Sequence, residues 1–362
     1  MRILFFGSYH ATYSRNEILL RGLQENGVKI IHCNILNTKN IKKKIKLFQK
    51  ALSTNFDIIF VAFPAGYFSF PLAMCLRLLK RKPIVFDTFI SIYNTKINDH
   101  KSIKKGSLVA NFLREMERFY FSRADIVIAD TLAHLKYYSK EFNIPESKFR
   151  CIYVGSNDKK YFPVEMEKNG EIFNVLFFGN YIPLQGVPII FAAAKLLIKN
   201  KKIKFTMIGG NDNNEIYQDM RNFSMLNNLE NVEIIPFLHE ENLILKLREA
   251  DLLLGIFGKT IKTNLVIPNK VFAGIALQKP VLTLRTQAIQ ELFKDNHDII
   301  LCKTNNPNDL AEKIVKSYKQ QSELQKISIN GYKTYIALLT PYKIGKDLKE
   351  ILQNFLYQKI AS

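Results

Sequence analysis

Residues 3–9 read Ile-Leu-Phe-Phe-Gly-Ser-Tyr, and residues 175–181 read Val-Leu-Phe-Phe-Gly-Asn-Tyr. Each stretch is an apolar run that ends in a glycine-containing turn and is followed by a helical pattern. This order is typical of the first strand and helix of a doubly wound α/β domain. The two runs lie about half a chain apart. The near repeat therefore predicts two similar α/β domains.

Strand and helix patterns alternate along the rest of the chain. Continuous apolar runs such as residues 58–61 indicate strands buried on both faces of a parallel sheet. We expect residues 1–165 to form one Rossmann-like domain and residues 166–340 a second, with residues 155–171 as the linker. Residues 341–362 form a last helix that packs back across the domain boundary. The predicted fold class is α/β, with two doubly wound domains facing a central cleft.

Length and composition restrict the class of protein. The 362 residues are 47% hydrophobic and 23% charged, which is typical of a globular protein of two domains. The chain enters a strand at once, without a signal-peptide pattern, and no apolar run approaches the ~20 residues needed to span a bilayer. Its four cysteines lie far apart, without metal-site spacing. We expect a cytoplasmic protein with reduced cysteines.

The net charge of +20 is unevenly distributed, since residues 1–165 carry +14 of it. Residues 42–46 contain four lysines within a segment whose apolar residues Ile41, Ile45, Phe48 and Leu52 share one helix face. The pattern allows a solvated helix packed on a sheet or a helix that contacts an anionic membrane surface. No nucleic-acid partner is expected, because no recognition motif accompanies the charge.

The sequence pattern most indicative of function is a predicted helix over residues 269–277. Pro268 suits a helix start, so the exposed amides at Asn269, the positive end of the helix dipole and Lys270 lie together and favour a phosphate. Gly179, Gly209 and Gly210 end two strands at the same predicted sheet edge. The alternative is a helix that merely starts with proline and packs on the sheet.

The order of these motifs resembles family 4 glycosyltransferases, which are enzymes of the GT-B fold. The resemblance covers most of the chain, is densest over residues 173–320, and rests on segments 178–186, 208–210, 250–255 and 268–281. It implies transfer of a sugar from a UDP- or GDP-sugar to an acceptor between the domains, usually with retention. It implies neither a cofactor nor a metal.

The same resemblance suggests an acceptor and a location. We expect a glycan, lipopolysaccharide or lipid-linked acceptor of cell-surface polysaccharide synthesis. The expected location is cytoplasmic and peripheral on the inner face of the membrane, contacted through the basic first domain.

The chain departs from the family pattern at several positions. Ala273 stands where members usually have a glutamate that binds the donor ribose, Gln185 where many have lysine, and Asn180 where arginine is usual. Lys259 and Lys262, on the segment leading to Pro268, could supply the missing charge. The departures leave an alternative open, a non-catalytic GT-B protein that binds a sugar nucleotide, a glycan or a partner enzyme.

Candidate site residues follow from the motifs and from the resemblance. Asp87 and His134 are the catalytic candidates, with a loop-capping aspartate and a satisfied histidine as their alternatives. Phe237 resembles the position at which family members hold the base. The residues expected to bind the donor are Gly7, Arg15, Gly179, Asn180, Gln185, Gly186, Gly209, Gly210, Phe237, Lys262, Asn269 and Lys270. Neither a nucleophile elbow nor a Walker phosphate loop occurs in the sequence.

Overall fold

The computed structural model describes residues 1–34, 41–64, 66–100, 102–165, 171–303 and 306–361. The side chains of residues 41–44, 66, 68, 360 and 361 lie outside this description. The chain divides into two compact units, Met1–Asn157 with Leu339–Ser362, and Asp158–Leu338. They are called unit 1 and unit 2 below.

Unit 1 contains a parallel sheet of six strands in the order β2-β1-β3-β4-β5-β6. Its strands are β1 (Arg2–Gly7), β2 (Lys29–Asn34), β3 (Ile58–Val61), β4 (Ile84–Asp87), β5 (Ile126–Ala129) and β6 (Phe149–Cys151). Its first five helices are α1 (Ser14–Glu25), α2 (Ile41–Ser53), α3 (Gly66–Lys80), α4 (Leu108–Arg123) and α5 (Leu132–Phe142). A π-helical segment, Asn94–Asp99, follows β4.

Unit 2 contains a second parallel sheet of six strands in the order β12-β11-β10-β7-β8-β9. Its strands are β7 (Phe173–Phe178), β8 (Ile203–Ile208), β9 (Val232–Ile235), β10 (Leu252–Leu254), β11 (Val281–Leu284) and β12 (Ile300–Cys302). Its helices are α6 (Val187–Leu196), α7 (Glu215–Leu226), α8 (Glu240–Glu249), α9 (Ile261–Leu265), α10 (Asn269–Ala276), α11 (Pro307–Lys319) and α12 (Gln321–Leu338).

The two sheets confirm the predicted fold class of two doubly wound α/β units. Strands β3, β4 and β5 are buried at every residue, as their continuous apolar sequences predict. Helices cover both faces of such a sheet, so its strands lose the polar alternation of a half-exposed sheet. Phe5 stacks on Phe60 with their ring centroids 4.9 Å apart, which is one example of the aromatic packing in this core.

The last helix, α13 (Pro341–Ala361), belongs to unit 1. It packs on α1, where Gly22 and Gly345 meet so closely that a Cβ added at Gly345 would lie 2.0 Å from the Gly22 carbonyl carbon. Two glycines at this crossing therefore allow the two helix backbones to touch. Across the described residues, no helix combines the length and apolar character needed to cross a membrane.

One local prediction is wrong, and one short helix was not predicted. The apolar pattern over residues 286–293 predicts a helix, but the structure has only a 3₁₀ turn, Ile289–Glu291. The Thr286 hydroxyl accepts a hydrogen bond from the Ile289 amide and starts this turn, and the chain then enters the loop before β12. The five-residue helix α9, capped by Thr260, is too short to show helical periodicity in the sequence.

Candidate functional site

The strand order of unit 2 reverses between β7 and β10, and a doubly wound sheet usually binds its ligand beyond the carboxyl ends of the strands at such a point. Gly179 follows β7 with a φ of 142°, and an added Cβ would lie 3.0 Å from the Lys270 ammonium nitrogen. Gly209 follows β8, and its Cβ would lie 2.3 Å from the Gly179 carbonyl oxygen. The two glycines therefore leave backbone exposed where a larger residue would clash.

Lys270 is the buried cation of this edge, with only 6% of its surface exposed. Its Nζ donates a 2.6 Å hydrogen bond to Oε1 of Gln185 and lies 3.6 Å from the ring centroid of Phe177. It forms no ion pair with any described residue. Burial lowers the pKa of the Lys270 ammonium well below its ordinary value. An anion that reached this group would therefore stabilise its charged form.

Gln185 is held in place by backbone hydrogen bonds to the loop after β10. It ends the 3₁₀ turn Pro183–Gln185, and its carbonyl oxygen accepts a 3.0 Å hydrogen bond from the Phe257 amide. The Gly258 amide donates to the carbonyl oxygen of Leu184 at 3.2 Å. Two loops at the carboxyl edge thus fix the amide that binds Lys270. We call Gly179, Gln185, Gly209 and Lys270 the switch-point site.

Helix α10 begins at this site. Pro268 precedes it without a side-chain cap, so the first-turn amides and the helix dipole can receive an anion. Asn269 is exposed at the first helical position. Ala273, one turn later, is only 6% exposed and offers a methyl group where a ribose-binding carboxylate would be expected. Lys262 is buried in α9.

The remaining donor-site predictions in unit 2 have different environments. Asn180 is exposed beside Gly179, whereas Gly186 and Gly210 are packed against backbone or ring atoms. Phe237 lies in the loop after β9 with 72% of its surface exposed, so its ring has an open face on which a base could stack. The structure therefore brings Lys270 and Gln185 into direct contact, with the glycine backbone beside them.

Arg15 has a structural position in unit 1 that the sequence did not reveal. It is fully buried, and its guanidinium donates to both carboxylate oxygens of Asp87 at 3.2 and 2.9 Å. It also donates to the carbonyl oxygens of Ile152 and Tyr153 at 2.7 and 3.1 Å. These contacts replace the expected contact with a donor diphosphate, because the guanidinium is enclosed by protein.

Asp87, at the carboxyl end of β4, was expected to orient the acceptor hydroxyl or to act as a base. It is 1% exposed, and burial raises the pKa of its carboxyl group while the neighbouring Arg15 opposes that rise. A carboxylate held by a buried arginine is poorly placed to accept a proton from an incoming hydroxyl. We assign Asp87 to the anchoring of Arg15. Gly7, at the end of β1, approaches Ser69, whose hydroxyl accepts a hydrogen bond from the Ser8 amide.

His134 lies in the first turn of α5, where the Thr131 hydroxyl accepts a hydrogen bond from its amide. Its Nδ1 is 2.5 Å from the Asp130 carboxylate, and its ring stacks on Tyr138 at 4.9 Å. The ring is 1% exposed, and its Nε2 has no hydrogen-bond partner among the described residues. His134 is therefore oriented by Asp130 but enclosed within unit 1.

Glu117 is a buried acid that sequence reasoning missed. Its carboxylate accepts hydrogen bonds of 2.6 Å from the Ser91 hydroxyl and from the Ile92 amide, so it anchors the loop after β4. Burial raises its pKa to about 7. The signal was present in the helix spacing, because Glu117 shares the buried face of α4 with Tyr120 and Phe121.

No cluster of three or more potential metal ligands occurs in the part of the chain that the structure describes. The switch-point site offers an ammonium group, backbone amides and a helix start. These groups favour a phosphorylated ligand.

Known proteins that resemble this chain in sequence are glycosyltransferases. Residues 172–320 match the family model of glycosyl transferases group 1. An uncharacterized glycosyltransferase of Methanocaldococcus jannaschii is 27% identical over 163 residues, which are 43% of this chain and 41% of that protein. The chain thus spans less than half the length of this relative. The segment matched by the family model, residues 172–320, contains the switch-point site.

Solved structures share the fold over nearly the whole chain. HepE of Anabaena, in a complex with UDP and glucose, is 14% identical with a TM-score of 0.72, and the match covers 98% of this chain and 100% of HepE. Sucrose-phosphate synthase of Thermosynechococcus elongatus is 12% identical with a TM-score of 0.73, covering 99% and 100%. These likenesses show the GT-B fold, and with the family match they confirm the resemblance to family 4 glycosyltransferases.

Proposed function

We propose that this protein is a glycosyltransferase. The GT-B fold and the match of unit 2 to glycosyl transferases group 1 support this proposal. It transfers a sugar from a UDP- or GDP-sugar to an acceptor hydroxyl. The observation that carries the proposal is Lys270, a buried ammonium without an ion pair among the described residues, beside the exposed backbone of Gly179.

The reaction needs its leaving group stabilised. When the bond between the sugar and the nucleotide diphosphate breaks, negative charge develops on the diphosphate oxygens. Lys270 and the first-turn amides of α10 supply positive charge and hydrogen-bond donors at one place. Desolvation strengthens these interactions, because water does not compete inside the site. The exposed ring of Phe237 would stack on the base.

We further propose that the reaction uses no metal and no cofactor and retains the configuration of the sugar. Lys270 and the helix dipole of α10 would do what a divalent cation does in metal-dependent transferases. Retention is supported by the resemblance to family 4 enzymes. With Asp87 paired to Arg15, the structure offers no reason to assign Asp87 the role of a base.

The acceptor we propose is a glycan, a lipopolysaccharide or a lipid-linked sugar of cell-surface polysaccharide synthesis. The basic charge of residues 1–165 supports an acceptor presented at an anionic membrane surface, on the cytoplasmic side. The sequence suggested the lysines of residues 42–46 as the contact, and the side chains of Lys42, Lys43 and Lys44 lie outside the described residues.

A panel of UDP- and GDP-sugars tests the activity. The purified chain is incubated with each donor, with and without a membrane glycolipid extract, and release of the nucleotide diphosphate is measured. We expect release from at least one donor, faster with extract. The Lys270→Met variant serves as the matched inactive enzyme. Release at the same rate by this variant would contradict the assignment.

The alternative function is a non-catalytic protein that binds a sugar nucleotide, a glycan or a partner enzyme. Ala273 favours it, because a buried methyl group cannot accept hydrogen bonds from ribose. Loss of one charge-assisted contact lowers affinity by roughly 1.5 to 3 kcal/mol, which weakens binding without ending catalysis. Nucleotide binding without release from any donor would support this alternative.

A further inference from the structure

Two neighbouring helices of unit 1 expose large apolar side chains. On α3, Leu78 and Leu79 are 77% and 64% exposed, and on α4, Leu108 and Phe112 are 88% and 66% exposed. We define the α3–α4 face by its exposed apolar residues, which are Leu72, Leu78, Leu79, Leu108, Val109, Phe112 and Phe119. Large apolar residues that are exposed on neighbouring helices often mark a binding surface.

Helices α3 and α4 pack on the same core. Phe70 of α3 and Tyr120 of α4 stack with their centroids 4.6 Å apart, and both belong to the same buried cluster. The buried residues of each helix therefore point to the core, and the exposed ones lie on the opposite side. Spacing along α4 places Leu108, Phe112 and Phe119 on one side of the helix.

Helix α2 does not offer a comparable surface. Its Leu47, Phe48 and Leu52 pack partly buried against the core. Among the described side chains of the apolar side that the sequence suggested for a membrane, Ile45 alone is exposed, at 51%. Lys46 and Lys50 of α2 remain exposed beside this layer. Helix α2 can thus contribute charge to a membrane contact but little apolar area.

A basic cavity lies where α3 and α4 end. Its volume is about 270 Å³, and Arg77, Arg123 and Lys148 line it around a single carboxylate, Asp125, with Leu78 at its side. The Lys148 ammonium donates to the carbonyl oxygens of Ser122 and Ala124 at 2.6 and 2.9 Å.

The charges in this cavity are unbalanced. Arg77 lies 3.1 Å from Asp125, and Lys359 of α13 lies 3.7 Å from the same carboxylate. Arg123 stacks over Phe119 at 5.3 Å and forms no ion pair with a described residue. Burial lowers the pKa of the Lys148 ammonium, Asp125 opposes this effect, and the nearby Arg77 and Arg123 add to it. A phosphate in the cavity would offset this crowding of like charges.

We propose that the α3–α4 face docks on an anionic phospholipid surface, with the cavity of Arg77, Arg123 and Lys148 holding a headgroup phosphate and the exposed leucines entering the acyl boundary. This inference rests on the membrane-presented acceptor of the proposed function. Charge complementarity selects this occupant. A second copy of the chain would place arginines against arginines, and the exposed Lys104 and Lys105 at the start of α4 would add to that repulsion.

Vesicle flotation with the full chain tests the proposal. Vesicles of phosphatidylcholine alone are compared with vesicles that also contain phosphatidylglycerol, at low and high salt and without nucleotide. We expect binding to the anionic vesicles only, weakened by salt. Leu78→Gln with Leu79→Gln should weaken binding at least tenfold, because two exposed leucines no longer enter the acyl boundary. Arg123→Gln should weaken it roughly fivefold, the change expected for one basic residue at such a surface.

The matched control is Met225→Gln with Leu226→Gln, an adjacent pair of exposed apolar residues at a helix end of unit 2, 64% and 84% exposed. It should bind as the unmodified chain does. Equal binding by the Leu78 and Leu79 variant, equal binding to neutral vesicles, or no binding to either vesicle would each overturn the proposal. Self-association in sedimentation velocity that this variant abolishes would assign the face to a second copy instead. UDP binding by the variant, measured separately, should be unchanged, which keeps this test distinct from that of the transferase function.

Discussion

At the scale of single residues, the switch-point site pairs a cation with a neutral amide. Lys270 donates to Gln185 at 2.6 Å in a buried setting, where a carboxylate would form an ion pair instead. Because the amide carries no net charge, the ammonium remains able to bind an anionic ligand. Gln185 is therefore a positioning residue for Lys270.

This role gives a testable prediction for Gln185→Glu. The new carboxylate should pair with Lys270 and compete with a diphosphate, so UDP affinity should fall about tenfold or more, as expected for a lost charge-assisted contact. Gln185→Ala should lower it less, because the ammonium stays unpaired. Calorimetric titration measures both, with the exposed Gln290→Glu as control. If the glutamate and alanine variants bind UDP equally, Gln185 does not position the ammonium.

Sequence reasoning at this scale identified the cation but not its partner. Lys270 and Gly179 were predicted because a helix start and a strand end are local patterns. The contact between Gln185 and Lys270 spans 85 positions, and that between Arg15 and Asp87 spans 72. Such pairings depend on the tertiary fold, which is why Arg15 was expected at a ligand and lies in an internal ion pair.

At the scale of elements, strands and long helices could be read closely from the sequence. Apolar runs predicted β1 to β12 to within about three residues of the ends seen in the structure, since burial on both faces leaves a continuous signal. Short elements were not predicted correctly, because they contain too few residues to show a periodic pattern. Helix α9 and the turn at Ile289–Glu291 are set by single capping threonines, whose effect periodicity does not register.

Helix α4 carries a prediction about pH. The Glu117 pKa of about 7 exceeds its ordinary value of 4.5, so the folded state binds more protons than the unfolded state between these values. Stability therefore decreases as pH rises through this window, by roughly 3 kcal/mol for this residue. The stability of the unmodified chain relative to that of Glu117→Gln should therefore be greater at pH 5 than at pH 8.

Scanning calorimetry at both pH values measures this difference in the unfolding of unit 1. Glu115→Gln, an exposed change on the same helix, is the control and should show no such pH dependence. The contrary result is a stability difference between the unmodified chain and Glu117→Gln that stays constant from pH 5 to pH 8. That result would show that Glu117 does not titrate in this window.

At the scale of the whole molecule, each unit has its own sheet and its own functional features. Unit 2 has the strand order of a dinucleotide-binding sheet, with the ammonium and glycines at its switch point. Unit 1 carries most of the positive charge and the α3–α4 face. The fold was predictable because one sequence pattern occurs twice. The α3–α4 face was not predictable, because exposure depends on which side of each helix the core leaves uncovered.

We expect Lys270 to bind the diphosphate of a sugar nucleotide. Isothermal titration calorimetry with UDP and with GDP tests it most directly, on the unmodified chain, on Lys270→Met and on the exposed-lysine control Lys319→Met. We expect the unmodified chain and the control to bind one nucleotide alike, and Lys270→Met to bind it at least tenfold more weakly. No binding of either nucleotide at millimolar concentration, or equal binding by Lys270→Met, would contradict the claim.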